Sequence, residues 1–420
     1  MEGCDLQCHA RYYKDEDMRT RGNTWRNRGF SIVELMIVLG ISLFVLTAAS
    51  KVMVAMITQF KQQSKIVETN IESVVGLELL RRDLQALGHG LGGGFPVSST
   101  DYSCTNWDVL KDYKEAKSVS KAGPDYPDDP ADYNDAPKYP PRPIASGNNT
   151  MTNDSDYLVI KSVNLGTTDA AGKIHTLTRL NEKNQWNPVS SGLNLNDKDR
   201  VIVISLSDNK NLGLVTTPRP TDLITQCTDY GSGSLDWHTK FDLTAAYVPP
   251  NKEEEAHLVY GVESETTDNP RAPFNRADYY ILRHEVPTRC APGTGVLVKV
   301  VMLHSDGSMS SPLPLLDCVA DFQVSYGVDT NGDGEMDQTT DGPPPAGETA
   351  AKQIRDQGKV VYISILTHEG QFDRGFTYAT QKIDVDDFKT DFDLATLDSV
   401  NWSHYRWRVL KLAVIPTLLR

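Results

Sequence analysis

The chain has 420 residues, with 42 Lys and Arg against 56 Asp and Glu, for a formal net charge of −14. That acidic balance excludes a nucleic-acid binder, which needs a basic footprint. Hydrophobic residues at 39% and charged residues at 23% exclude a disordered chain and leave room for a sizeable core in one or two domains.

Residues 1–29 carry six Lys/Arg and five Asp/Glu, and all five acids precede Met18. From Met18 to Gly29 the only charges are Arg19, Arg21, Arg26 and Arg28, so Met18 is a second candidate start. An apolar run from Phe30 to Ile57 follows, interrupted only by the charges of Glu34 and Lys51. About 20 apolar residues suffice to cross a bilayer as one helix. The arginines ahead of it stay cytoplasmic, which exports everything after Ile57. Alone in lipid, Glu34 would cost roughly 2.5–3.5 kcal/mol, so it needs a partner.

The stretch Gly29-Phe30-Ser31-Ile32-Val33-Glu34-Leu35 resembles the processing site of type IV pilins and pseudopilins: a basic leader, a glycine, then Phe-Ser-Ile-x-Glu and an apolar run. The resemblance implies cleavage after Gly29 by prepilin peptidase, N-methylation of Phe30 and packing of the helix into a filament core. It also gives Glu34 a role. The carboxylate of one subunit faces the new Phe30 amine of its neighbour, so each buried charge has a partner and the axial register is fixed. An ordinary secretory signal, cleaved near Thr47-Ala48-Ala49-Ser50, is the alternative; it leaves Glu34 unexplained.

No proline occurs from Phe30 to Leu87. Past the membrane run the pattern turns amphipathic, with Phe60, Val67, Ile71 and Val74, then Leu77, Leu80, Leu84 and Leu87 on one face. Lys61, Lys65, Glu68, Glu72, Arg81 and Asp83 are expected opposite. The helix therefore continues through 58–94 as a stalk whose outer half packs on a globular domain. About 58 residues of helix span roughly 85–90 Å. Gly88-His89-Gly90-Leu91-Gly92-Gly93-Gly94-Phe95-Pro96 ends it.

Residues 95–420 read as the exported domain. The acidic, proline-dense stretch 123–143 reads as a solvated loop, as do the Asp128/Asp129 and Asp386/Asp387 pairs. Strands are expected at Asp156–Val163, Lys173–Leu180, Arg200–Leu206, Leu212–Thr217, His257–Val262, Ala277–His284, Val296–Leu303, Val319–Val328, Lys359–Leu366 and Tyr405–Ile415. Loops at 218–256 and 338–357 separate them. The fold class is α+β: a long membrane-spanning N-terminal helix, then an antiparallel, β-rich, pilin-type domain.

Six cysteines occur. Cys4 and Cys8 lie in the leader. Cys104, Cys227, Cys290 and Cys318 follow the membrane segment, and an even count in an exported domain indicates two disulfides, with three possible connectivities. Val296–Leu303 and the strand from Val319 read as neighbours with adjoining entrances, which pairs Cys290 with Cys318. Cys104 then pairs with Cys227 by elimination. Four buried thiols are the alternative.

Asp329, Asn331 and Asp333 place oxygen ligands at positions 1, 3 and 5 of an EF-hand-type loop. Gly334 stands at position 6, the Glu335 carbonyl at 7 and Asp337 at 9. Position 12 is Thr340 instead of a bidentate Glu, with Asp341 next to it, and no long helix flanks the loop. The expectation is a turn stabilised by a structural calcium ion; a metal-free Asp/Asn/Gly turn is the alternative.

Three further pieces resemble the PilW branch of minor pilins: Leu79 to Gly88, Cys290-Ala291-Pro292-Gly293-Thr294, and Leu315 to Gly327. The absence of a mid-membrane proline also fits a minor pilin. The resemblance implies a subunit that helps initiate type IV pilus assembly and forms part of the tip complex. Its partners would be other major and minor pilins, prepilin peptidase, the inner-membrane assembly platform and a tip adhesin. The precursor would sit in the inner membrane with its domain in the periplasm, and the assembled protein at the cell surface. A GspJ-like pseudopilin of type II secretion is the close alternative. No His-Glu-x-x-His, Gly-x-Ser-x-Gly or phosphate-binding loop occurs. An enzyme is therefore not expected; a membrane-anchored exported enzyme, the remote alternative, would need a deep pocket of convergent titratable groups.

Overall fold

The computed structural model describes residues 29–91, 113–119, 128–136, 139–180, 183–188, 195–196, 199–205, 213–214, 216–217, 225–226, 239–240, 256–264, 270–347 and 349–417. The leader to Arg28, with its candidate start at Met18, and the expected partners Cys104 and Cys227 lie outside those residues. The chain forms two compact units, Met1–Phe60 and Lys61–Arg420.

Helix α1, Ile32–Gln85, begins in the first unit and ends in the second. Within the first unit every described side chain is exposed. By length and composition this segment is apolar enough to cross a membrane. Helical backbone satisfies its own hydrogen bonds, so an apolar surface facing outward all round suits lipid or neighbouring helices.

In the second unit, the end of α1 packs on an antiparallel sheet. The strand order is Ile144–Gly147, Tyr157–Ser162, Asn275–Leu282, Gly295–Val301, Leu313–Val328, Gly358–Glu369 and Arg406–Val414, with Gln338–Thr340 added alongside Leu313–Val328. Side chains alternate across a strand. Leu158, Ile160, Ala277, Tyr279, Ile281, Phe322 and Val324 therefore share a core with Leu80, Leu84 and Leu87 of α1. Gly76 brings the helix closest: a Cβ there would lie 1.9 Å from the Leu315 carbonyl oxygen. A short helix α2, Ala350–Gln357, adds Ile354 to the same core, inside a stretch expected to be loop. A second, six-stranded sheet contains Ile174–Leu180, Lys183–Pro188, Arg200–Ser205, Gly213–Leu214, Thr239–Lys240 and Ala256–Glu263.

The helix face differs from the sequence expectation. Leu80, Leu84 and Leu87 are buried, but Phe60, Val67, Ile71 and Val74 are exposed. In the upper half, the small residues Thr69, Ser73 and Gly76 face the domain instead. Small side chains let the backbones approach, and the Gly370 amide donates to Thr69 Oγ1 at 3.2 Å. Two residues expected on the outer side also turn inward. Asp83 accepts from Lys299 Nζ at 2.6 Å and from the Tyr279 hydroxyl, and Glu72 pairs with Arg289.

The sheet face away from α1 carries a charge cluster under the segments 113–119 and 128–136. Arg276 donates from Nε and Nη2 to the two oxygens of Asp278, both at 2.8 Å, and from Nη1 to Asn134 Oδ1 at 2.6 Å. Lys161 Nζ lies 2.7 Å from Glu115 and 2.6 Å from Asp135. Arg142 Nε lies 2.7 Å from Asp135. Three cations thus meet three carboxylates, all buried. Beside them Tyr157 stacks between Tyr133 and Tyr280, at 4.6 and 5.4 Å. The described part of 123–143 is therefore not a solvated loop: Asp128, Tyr133, Asp135 and Arg142 are buried, as is Asp386 farther on. Asp135 is held by Lys161 from the strand beneath and by Arg142, while Asp128 accepts from the Tyr133 hydroxyl at 2.8 Å and Asp386 from the Phe388 and Lys389 amides at 3.0 and 2.7 Å.

Candidate functional site

At the N-terminus, Gly29 and Phe30 precede the helix and are exposed. Ser31 caps α1: its Oγ accepts from the Val33 amide at 3.3 Å and its carbonyl from the Leu35 amide at 3.1 Å. Glu34 falls in the first turn, where the helix dipole favours a carboxylate. The structure therefore places the glycine ahead of the helix, next to Phe30 and five residues before Glu34, the only acid before Glu68 among the described residues. A peptidase needs an accessible, non-helical bond, and a methylated amine needs to be free of the helix; both conditions hold here.

The loop at 329–337 folds around its own side chains. Asp329 is buried and accepts the amides of Gly332 at 2.6 Å and Gly334 at 2.8 Å, with Lys359 Nζ at 3.5 Å. Burial pushes its carboxyl up, but those amides and Lys359 hold it below the usual range. The Asp333 amide donates to Asn331 Oδ1 and the Glu335 amide to Asp333 Oδ1, both at 2.8 Å. Asp337 accepts from Thr330 and Asn331. Glycines 332 and 334 take positive φ, 81° and 94°, which lets the chain curl this tightly. All the side-chain oxygens named from sequence are thus in one curl. The Asn331 amide stands between Asp333 Oδ2 at 3.1 Å and Asp337 Oδ1 at 3.0 Å, where a donor bridges the two carboxylates.

Cys290 and Cys318 form a disulfide with Cα atoms 4.8 Å apart. Cys318 lies in Leu313–Val328 and Cys290 just ahead of Gly295–Val301, and these strands adjoin, with Gly295 opposite Val319. His368 sits against this bridge, its ligand atom and the two sulfurs all within 4.8 Å. Its Nε2 accepts the Ala291 amide at 2.9 Å, and its ring packs on Tyr405 and Trp407. Burial pushes its pKa down to about 4, so it is neutral at physiological pH. With the sulfurs joined to each other and the ring enclosed by aromatics, this group acts as a structural rivet.

The buried cluster around Arg276 and Lys161 was missed at the sequence level. A signal was available: Lys161, Arg276 and Asp278 interrupt otherwise apolar strands at positions of one parity, which marks a face that needs charged partners.

Residues 26–50 match the family model described as the prokaryotic N-terminal methylation motif. The matched segment contains the glycine, Phe30 and Glu34. The N-terminus is thus prepilin-type and supports a type IV pilin or pseudopilin. It implies processing by prepilin peptidase, a membrane-anchored precursor, and association with pilins and membrane assembly machinery. No curated protein and no solved structure matches the chain.

Proposed function

We propose that the chain is a PilW-like minor pilin, a non-enzymatic subunit that helps initiate type IV pilus assembly and sits in the tip complex. The observation that carries this is the prepilin-type N-terminus on a helix whose apolar residues stay exposed past the membrane run, at Phe60, Val67, Ile71 and Val74. Exposed apolar stripes of this kind are covered by partners, and the neighbouring helices of a filament would cover this one. The domain at the helix end is built on an eight-stranded sheet with a second sheet of six. A head of that size crowds its neighbours if repeated along a slim fibre, which favours a few copies at one end. Quantitative mass spectrometry of sheared surface filaments tests this. The chain is expected at a small fraction of the bulk subunit. Equal abundance contradicts the tip assignment; absence from filaments with loss of protein secretion on deletion points to the GspJ-like pseudopilin.

The same reading gives Asp329–Asp337 a structural calcium ion, held by Asp329, Asn331, Asp333, the Glu335 carbonyl and Asp337. The donors are all oxygen, as a hard cation requires, and the ion would replace the Asn331 amide between the carboxylates. Extracellular sites of this type bind at about 0.1–1 mM. Calcium at about 1 mM, roughly one to ten times that constant, would stabilise by about 0.4–1.4 kcal/mol. The full chain in detergent should therefore melt higher in millimolar calcium than in chelator, and Asp333→Ala should remove the difference. Identical melting of the wild type in both would leave a metal-free turn.

A further inference from the structure

Within the buried charge cluster, one cation differs in kind from the other two. Arg142 and Arg276 stay protonated in a protein, so their contacts with carboxylates remain ionic. Lys161 becomes a primary amine once it gives up a proton, and a primary amine is a nucleophile. Its Nζ lies 2.6 Å from Asp135 Oδ2 and 2.7 Å from Glu115 Oε2, and all three side chains are fully buried. With a C–O bond of about 1.2 Å, the Asp135 carboxyl carbon is within about 4 Å of that nitrogen. Reacting atoms poised for attack stand ~3–3.5 Å apart.

The two carboxylates are held for different tasks. Asp135 Oδ1 accepts from Arg142 Nε at 2.7 Å, and Oδ2 from the Arg142 amide at 2.8 Å. Donors so placed draw charge off the carboxyl carbon and stabilise an oxyanion on Oδ1. Glu115 Oε1 accepts the amides of Asp135 at 2.9 Å and Ala136 at 3.2 Å, which fixes Glu115 to the backbone of Asp135 itself. Its Oε2 meets the Lys161 ammonium, with Arg276 Nη1 farther off at 3.3 Å. The fully buried Phe274 ring lies 5.6 Å from Lys161 Nζ, and Tyr113 packs edge-on to that ring at 5.9 Å. The group is thus sealed from bulk water, in surroundings that favour neutral species over charged ones.

We propose that Lys161 and Asp135 condense to an isopeptide bond, with Glu115 as the proton carrier. Glu115 takes a proton from the Lys161 ammonium and passes it to Asp135 Oδ2. The Nζ lone pair attacks Asp135 Cγ, the N–C bond forms and the bond from Cγ to Oδ2 breaks. Oδ2 leaves as water, its second proton also coming from Nζ by way of Glu115. An ammonium and a carboxylate become one amide and one water, with no change of oxidation state and no co-reactant. Until the bond closes, the pair acts as the ionic contact described above. Asp135 and Lys161 are 26 residues apart, so the bond staples the segment 128–136 to the strand Tyr157–Ser162. The proposal does not depend on the role of the N-terminus and stands or falls separately from it.

The test is the mass of the full chain purified in detergent, followed by tryptic mapping after reduction. The wild type is expected to weigh one water less than its sequence requires. A branched peptide should join Lys161 to Asp135, with no cleavage after Lys161. The branch should survive reduction, which separates it from the Cys290–Cys318 bridge. Lys161→Arg keeps the charge and should show neither the mass loss nor the branch. Glu115→Gln keeps the shape and the acceptor for the two amides but cannot carry the proton, and should lower the branched fraction roughly tenfold or more. Wild-type chain at its full mass with cleavage after Lys161, a branch at Glu115 instead of Asp135, or an undiminished branch in Glu115→Gln would overturn it.

Discussion

Arg276→Met is expected to lower the stability of the Lys61–Arg420 unit by about 3–5 kcal/mol, the cost typical of removing one partner from a buried ion pair. Domains of this kind have a total stability of about 5–15 kcal/mol, so the loss is a large share. The reason lies in what stays behind. Burial alone would pull the Arg276 pKa down, but Asp278 and Glu115 raise it above its ordinary value, so the guanidinium stays charged. With it gone, Asp278 keeps only the Tyr157 hydroxyl at 2.6 Å, and the Pro130 carbonyl and the Asn134 amide oxygen lose their donor. The segment 128–136 should then detach from the sheet. Arg276→Lys keeps the charge without the two-pronged contact and should fall between. Thermal unfolding of the full chain in detergent measures this; a Met variant within about 1 kcal/mol of wild type would mean that the cluster is not what holds the segment down. Acid should weaken the same clamp. Burial raises the Asp135 carboxyl, but Lys161 and Arg142 hold it below its ordinary value. Its contribution is therefore present near neutrality and lost as pH falls through the folded pKa.

Glu34→Ala should abolish incorporation into filaments while leaving insertion and cleavage intact. The carboxylate stands in the first turn of α1, exposed and one helical turn from the Phe30 backbone nitrogen that cleavage turns into an amine. In a filament core the new amine would be a buried charge, and only a carboxylate at this depth neutralises it. Removing the carboxylate leaves the amine uncompensated, a penalty of several kcal/mol per subunit junction. The peptidase site, by contrast, lies ahead of the helix and keeps its sequence. The variant should therefore accumulate as processed protein in the membrane and disappear from sheared filaments. Normal recovery in filaments would remove the register role of Glu34.

Local patterns announced the frame of the fold. The apolar run from Phe30 and the glycines from Gly88 bracket a helix observed at Ile32–Gln85. Alternation and β-branched residues located strands such as Tyr157–Ser162, Gly295–Val301 and Arg406–Val414 to within a few residues. What local pattern could not supply was tertiary partnership. Thr69, Ser73 and Gly76 look less apolar than Val67, Ile71 and Val74, yet they face the domain, because closeness to Leu315 and Gly370 rewards small side chains over large ones. Glu115 and Asp135 look like solvent-facing acids until Lys161, Arg142 and Arg276 are seen against them, and Asp128 until the Tyr133 hydroxyl is. Ile144–Gly147 hid just after a proline-dense stretch because its strand is only four residues long. The processing site was fully visible because its chemistry depends on contiguous residues.

The most direct test of the central reading is the mass of the mature N-terminus. The chain should be purified from cells with and without prepilin peptidase activity and its N-terminal peptide identified by mass spectrometry. With the peptidase, the chain should begin at Phe30 carrying one N-methyl group; without it, or in Gly29→Glu, the leader should remain and the Phe30 amine should not form. A mature chain that begins elsewhere, near Ala49 or Ser50 for instance, or an unmethylated Phe30 that appears without the peptidase, would contradict a prepilin-type subunit.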